Sequence, residues 1–455
     1  MTDTATREKS AASDVEAQHA INEITSFADE KASYQRTSHP DAQWFPEACL
    51  GMFIHWGISS VDGIGDLSWG CYHTVPGAQQ KNTEVHGIYA AHAQRTPVKY
   101  WEQAEKFTCE DYDPEKWLSA ARDAGVRYVV ITTKHHDGFC LWPSEYGDFS
   151  PKNYLNGRDL LGEFVAAARK YDVKIGFYYS PPDWRFYQDY VNFGRDSKKP
   201  LDKNHEPYPG NKMPERSPEL LEAYRTHVNG HVRELLTRYG QIDVLWFDGR
   251  LPDGSMTIEE IREIQPGILI NPRGHGYGDF NTPECKFPER ERVEGSWWEY
   301  CHVFSDGAWG YMEHETYKPI GWFLEEFTKA RAWGGNWLPN VGPDAKGRLP
   351  DAFFKRMEQL KEWMSHSGES VIGTTPGNWP EDSNVPITHK GDKTYAHVGW
   401  LFDYPVEIKC LKEAPKSVQL LKTGEAIPYE YVDGVLSFHL HKNHRDLRTT
   451  VIVIE

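Results

Sequence analysis

Basic residues are scarce in this 455-residue sequence: 50 Lys and Arg stand against 67 Asp and Glu, a formal net charge of -17. Nucleic acid and anionic membrane surfaces both call for a basic patch, so neither is expected as a partner. No run of about 18 apolar residues occurs, so no membrane-spanning helix is expected. The opening MTDTATREKSAASDVEAQHA is polar and mixed in charge, without the apolar centre of a signal peptide. The cytoplasm is the expected compartment, or the exterior if a leader was removed ahead of residue 1. The seven cysteines are odd in number and contain no Cys-x-x-Cys spacing. That excludes the usual signs of a disulfide framework or a zinc site and leaves reduced thiols. No glycine-rich loop follows the first apolar run, so a dinucleotide-binding open sheet is disfavoured.

What is plentiful is aromatic, with 17 Trp and 24 Tyr. Aromatic faces stack on the C–H faces of sugars, but they also pack well in cores. Residues 1–38 read as a peripheral arm, with only a weak helical stretch near Val15–Phe27. From Trp44 onward, apolar runs alternate with amphipathic segments. Asp113-Pro114 opens a helix as N-cap and first residue, and Gly125 closes it. The short apolar run Gly51–Gly57 and the runs Arg127–His136, Lys174–Ser180, Asp243–Gly249 and Gly267–Arg273 read as strands, and Pro218–Tyr239 and Asp351–Ser367 as helices. The strand runs are apolar throughout, as expected for parallel strands buried on both faces. Their ends carry His55, His135, His136, Tyr178, Asp248 and Arg273, and a (β/α)8 barrel places its active site at the C-terminal ends of its strands. The expected fold is therefore α/β: a (β/α)8-like TIM barrel over residues 39–374, followed by a C-terminal antiparallel β-sandwich over 375–455.

Asp248 closes the run Val244-Leu245-Trp246-Phe247 and precedes Gly249. A carboxylate at the mouth of an apolar strand is rigidly aimed, which suits a nucleophile, although a turn or N-cap Asp would read the same. His135 and His136 can both face a pocket where the strand pleat relaxes, donating to sugar hydroxyls. They lack an evident third ligand, so no metal is expected. Glycoside hydrolysis needs a second carboxyl group. The region after Arg273 offers Glu284, the acidic run Glu289, Glu291 and Glu294, and Glu299 in a Trp-Trp-Glu setting.

Taken together, these residues resemble the family 29 glycoside hydrolases, the α-L-fucosidases. The resemblance is carried by Met52–Gly57, Thr132–Ser144, Arg158–Trp184, Leu245–Gly249, Gly335–Pro350 and Glu362–Thr374, in that order. It implies a retaining exo-acting hydrolase of fucosylated oligosaccharides with no cofactor. Asp248 matches the family nucleophile and Glu284 its acid/base, with Glu299 as a rival. His55, His135, His136, Tyr178, Trp246 and Arg273 match sugar-contacting positions, and Trp309 an aromatic against the fucose methyl. Asp66 and Trp69 stand where many members carry Glu-Trp-Tyr, so Trp69 joins the substrate-binding set and substrate preference stays open. An α-L-galactosidase or fucan-active enzyme on the same scaffold, an inactive sugar-binding protein, and a homo-oligomer all remain compatible with the sequence.

Overall fold

The computed structural model describes residues 18–29, 33–65, 67–72, 95–194, 197–305, 307–409, 411–446 and 448–455. Strands β1 (Gly51–Ile54), β2 (Tyr128–Lys134), β3 (Lys174–Tyr179), β4 (Val244–Phe247), β5 (Leu269–Ile270), β6 (Phe280–Asn281), β7 (Trp297–Val303) and β8 (Asn336–Val341) form one parallel sheet in the order β5-β4-β3-β2-β1-β8-β7-β6. Because β1 pairs with both β2 and β8, the sheet curls into a barrel. Among the described residues no ladder joins β5 to β6. That seam is closed by Asp279, whose backbone N–H donates to the Ile270 carbonyl (2.7 Å) and whose Oδ2 accepts from Ile270 N–H (2.9 Å).

Helices α1 (Pro114–Asp123), α2 (Leu160–Lys170), α3 (Pro218–Arg238), α4 (Ile258–Ile264), α5 (Ile320–Ala332) and α6 (Asp351–Ser367) surround the barrel. No α-helix lies between β5 and β7, so the barrel is (β/α)8-like rather than complete. Asp113 caps α1 through Lys116 N–H, with Pro114 at N1, as the sequence predicts. The stretch Gly267–Arg273 is shorter as a strand than predicted. From Asn271 the side chain replaces the ladder, accepting from Phe247 N–H (3.0 Å) and donating to the Phe247 carbonyl (2.9 Å).

Strand side chains alternate between two apolar clusters. Phe53, Tyr128, Val130, Tyr178, Val244, Trp246, Leu269, Phe280, Cys301 and Leu338 fill the barrel interior. Their neighbours Met52, Ile54, Val129, Ile131, Ile175, Phe177, Leu245 and Phe247 pack outward with the helix layer. This explains strands that read as apolar at every position.

Beyond residue 374 the chain forms antiparallel sheets β13-β16-β11-β10-β9 and β12-β15-β14, comprising β9 (Thr375–Pro376), β10 (Ile387–Lys390), β11 (Lys393–Val398), β12 (Val406–Ile408), β13 (Val418–Leu420), β14 (Tyr429–Val432), β15 (Val435–Phe438) and β16 (Thr450–Ile454). Ile387, Ala396 and Ile452 of one sheet share a core with Ile408, Leu436 and Phe438 of the other, which makes a sandwich. No described helix is long and apolar enough to cross a membrane.

Candidate active site

The C-terminal mouth of the barrel holds a pocket lined by His55, Trp69, His135, His136, Tyr178, Trp246, Asp248, Arg273, Glu284 and Trp309, the whole set singled out from the sequence. Parity along the strands explains how they converge. Phe53 faces inward, so His55 two residues on does too, and Trp246 carries Asp248 in the same way. On β2 a register shift between Thr132 and Lys134 exchanges the faces. Lys134 then turns outward to a buried ion pair with Asp183 (3.2 Å), and His135 turns into the mouth. Gly249 permits the turn after Asp248: its φ is +119°, and a Cβ there would lie 2.5 Å from Pro182. Asp66 lies outside the described residues.

Arg273 organises the charges. Its NH1 donates to Asp248 Oδ1 (2.9 Å) and its NH2 to Glu284 Oε2 (2.7 Å), so one guanidinium bridges both carboxylates. Tyr178 donates its hydroxyl to Asp248 Oδ2 (2.6 Å). Burial raises the affinity of Glu284 for a proton, but Arg273 and then His19 outweigh it and hold the carboxyl well below the usual range. A carboxyl beside a second carboxylate is expected to show the opposite, a raised proton affinity. The guanidinium between the two acids is the reason for the difference.

The histidines act as acceptors, not as the donors expected from the sequence. Asn340 donates to the Trp309 carbonyl (2.7 Å), so its Oδ1 must accept from His55 Nδ1–H (2.6 Å). Ser68 donates to Asp137 Oδ2 (3.1 Å) and accepts from His135 Nδ1 (2.5 Å). Ser180 donates to the Pro182 carbonyl (2.9 Å) and accepts from His136 Nδ1 (2.5 Å). Each Nδ1 proton is therefore committed away from the pocket; the Nε2 of His55 and of His135 presents a lone pair, and that of His136 accepts from Asn22 Nδ2. Burial keeps all of these rings neutral, His55 down to about 4 from 6.5, with Asn340 partly opposing.

That neutrality predicts acid lability. The folded protein resists protonating these rings while the unfolded chain takes up protons, so stability falls as pH drops from about 6.5 towards 4. At about 1.4 kcal/mol per pKa unit, His55 alone contributes about 3 kcal/mol to the loss. Urea unfolding midpoints across that range should decline, and His55→Gln should make the decline shallower.

Ligand atoms of His135, His136 and Asp248 lie within 4.8 Å of one another, so Asp248 supplies the third partner not found in the sequence. Even so, both Asp248 oxygens are engaged, and His136 Nε2 accepts from Asn22 Nδ2 (3.0 Å). A cation would displace these bonds and face the fixed charge of Arg273.

Glu299 is not at the mouth. It is fully buried on β7, inside the barrel, where Oε1 accepts from Trp246 Nε1–H (2.5 Å) and Oε2 from the Tyr128 hydroxyl (2.7 Å). Burial pushes its carboxyl up to about 7, moderated by those donors and by Arg273. The rival acid/base candidate is a prop beneath the pocket floor. Glu284, by contrast, bridges to β7 at Cys301 and lines the pocket.

The N-terminal residues depart from the predicted peripheral arm. Gln18, His19 and Ile24 line the pocket. His19 Nε2 lies 3.0 Å from Glu284 Oε2, and Arg273 NH2 reaches Ser26 Oγ at 3.3 Å. The Ser26 carbonyl accepts from Thr282 N–H at 2.8 Å. The weak helical stretch near Val15–Phe27 announces the local turn, in which Ile24 N–H donates to the His19 carbonyl (2.9 Å), but not the bonds to the barrel, whose partners are remote in sequence.

The profile of the family described as Alpha-L-fucosidase matches residues 15–369, taking in this segment as well as the barrel. Tissue alpha-L-fucosidase of Rattus norvegicus is 27% identical over 403 residues, covering 85% of this chain and 81% of that protein. The structure of alpha-L-fucosidase isoenzyme 1 from Paenibacillus thiaminolyticus superposes with a TM-score of 0.74 at 30% identity, over 91% of this chain and 98% of that one. Thermotoga maritima alpha-fucosidase, solved with a mechanism based inhibitor, gives a TM-score of 0.69 at 26% identity, over 92% and 97% of the two chains.

Proposed function

This chain belongs to the α-L-fucosidase family of glycoside hydrolases, and we propose that Asp248 is the nucleophile and Glu284 the acid/base with which it releases terminal α-L-fucosyl units from glycans with retention. The observation that carries this assignment is the pair of carboxylates bridged by Arg273 at the pocket mouth. Asp248 is ion-paired and hydrogen-bonded on both oxygens, hence rigidly aimed. It attacks the anomeric carbon and forms a glycosyl ester, while Glu284 protonates the departing oxygen. For that step the Arg273–Glu284 contact must loosen as the glycosidic oxygen arrives. Once Asp248 is an ester its charge is gone, and the guanidinium is free to hold Glu284 ionised. That is the state in which it takes a proton from the incoming water. The Nε2 atoms of His55 and His135 accept from sugar hydroxyls, His136 lines the pocket with its Nε2 held by Asn22, and Trp309 covers the C6 methyl. The mechanism based inhibitor bound to the Thermotoga relative fits a covalent step. Buried thiols at Cys49, Cys71, Cys109, Cys140, Cys285 and Cys301 support a reducing compartment such as the cytoplasm.

Glu284→Ala should cut kcat on substrates with poor leaving groups by about 10²–10⁴. It should spare aryl fucosides with good leaving groups in the first step, and azide should restore turnover. Glu299→Gln keeps an acceptor for Trp246 and should stay within a few-fold of wild type with no azide response. Azide rescue of a Glu299 variant in place of Glu284→Ala would reverse the assignment.

A further inference from the structure

The proposed acid/base is touched from the pocket side by a segment that precedes the barrel. We propose that Gln18–Ser26 forms the leaving-group wall of the site, with His19 as the positioning residue for Glu284. This rests on the reading of Glu284 as acid/base. Glu284 must face the glycosidic oxygen, so whatever lies against it on the open side meets the group being released. His19 Nε2 sits 3.0 Å from Glu284 Oε2, the oxygen that also receives Arg273 NH2 at 2.7 Å. Gln18 and Ile24 continue the same wall. Bonds to three barrel elements hold the segment in place. Asn22 Nδ2 donates to His136 after β2, Arg250 N–H donates to the Asn22 carbonyl (3.2 Å) after β4, and Thr282 N–H donates to the Ser26 carbonyl after β6.

The pocket between the segment and the strand ends has an empty volume of about 410 Å³, part of it open to solvent. A leaving group that enters it meets the segment beside Glu284. The His19 contact fixes the orientation of the carboxyl. His19 thus acts at the acid step, where the leaving group is poor, and has little to do where the leaving group departs unaided.

His19→Ala should lower kcat on a fucosyl disaccharide by about tenfold, a fraction of what a general acid supplies. Its KM should be little changed, because the contact acts on the carboxyl and not on the sugar. On 4-nitrophenyl α-L-fucoside kcat should stay within about threefold. His19→Gln, which retains an N–H donor at similar reach, should recover most of the disaccharide rate. Thermal unfolding of each variant, run alongside, separates local from global effects. Equal losses on both substrates, no loss on either, or a Gln variant as impaired as Ala would overturn the proposal. If Glu284→Ala shows leaving-group dependence and azide rescue while His19→Ala is neutral, this inference alone fails. If Glu284→Ala shows neither, the acid/base reading falls with it.

Discussion

Asp248→Gly is expected to abolish turnover, lowering kcat by about 10⁴-fold or more, because no other side chain on that face of the sugar can form the ester. The fold should survive. Arg273 keeps Glu284 as a partner when Asp248 is removed, so no buried charge is left bare. The cost should be that of the lost Tyr178 and Arg273 contacts, about 1–3 kcal/mol. The stereochemistry of rescue is the sharper measurement. Azide entering the emptied space attacks from the face that Asp248 occupied, so Asp248→Gly should yield the β-fucosyl azide. In Glu284→Ala the ester has already formed, and azide attacks from the opposite face to yield the α anomer. Proton NMR of the products distinguishes the two. The same anomer from both variants would contradict the division of roles.

Arg273→Met is the second large effect. The side chain is buried, lies over the Trp246 ring with its guanidinium carbon 4.4 Å from the centroid, and ion-pairs two carboxylates. Its loss strands like charges in a desolvated mouth, a situation that costs about 3–5 kcal/mol. The pH dependence has a definite sign. In the wild type the guanidinium lowers the proton affinity of Glu284, so the stability it confers is present above the carboxyl's ordinary range and is lost as pH falls. The gap between wild type and variant should therefore be widest near neutral pH and narrow on acidification, as the stranded carboxyls take up a shared proton. Activity should fall by about 10³-fold or more, since nucleophile aim and base ionisation both depend on the same group. A variant with unchanged stability and a few-fold loss of rate would show that the bridge is dispensable.

The parts legible in the sequence are those governed by local rules. Asp113-Pro114 capped its helix because capping needs a side chain three residues from its target. The helix Asp351–Ser367 was legible from its periodicity and its closing Gly368. His55, Tyr178, Asp248 and Arg273 were found because a strand end is visible as a change from apolar to polar. What was hidden depends on distant partners. Nothing near residue 19 indicates that it meets residue 284. The acceptor role of the histidines is set by Ser68, Ser180 and Asn340, each remote in sequence from its imidazole. Glu299 read as a rival acid/base because its Trp-Trp-Glu setting shows aromatic neighbours but not which way the carboxyl faces. Only the barrel interior, closed by Tyr128 and Trp246, explains a carboxyl there.

The unlaced seam between β5 and β6 has a consequence for the chemistry. Asp248 stands at the end of β4, on one lip, and Glu284 follows β6 and is tied to β7, on the other. Everywhere else around the barrel, respacing two neighbouring strand ends means breaking ladder bonds in series. Across the seam the ties are the Asp279–Ile270 pair of bonds at depth, with Arg273 above it bonded to Thr282 and to both acids. The spacing of the two acids is thus set by side-chain bonds, those of Arg273 above all, and not by a strand ladder.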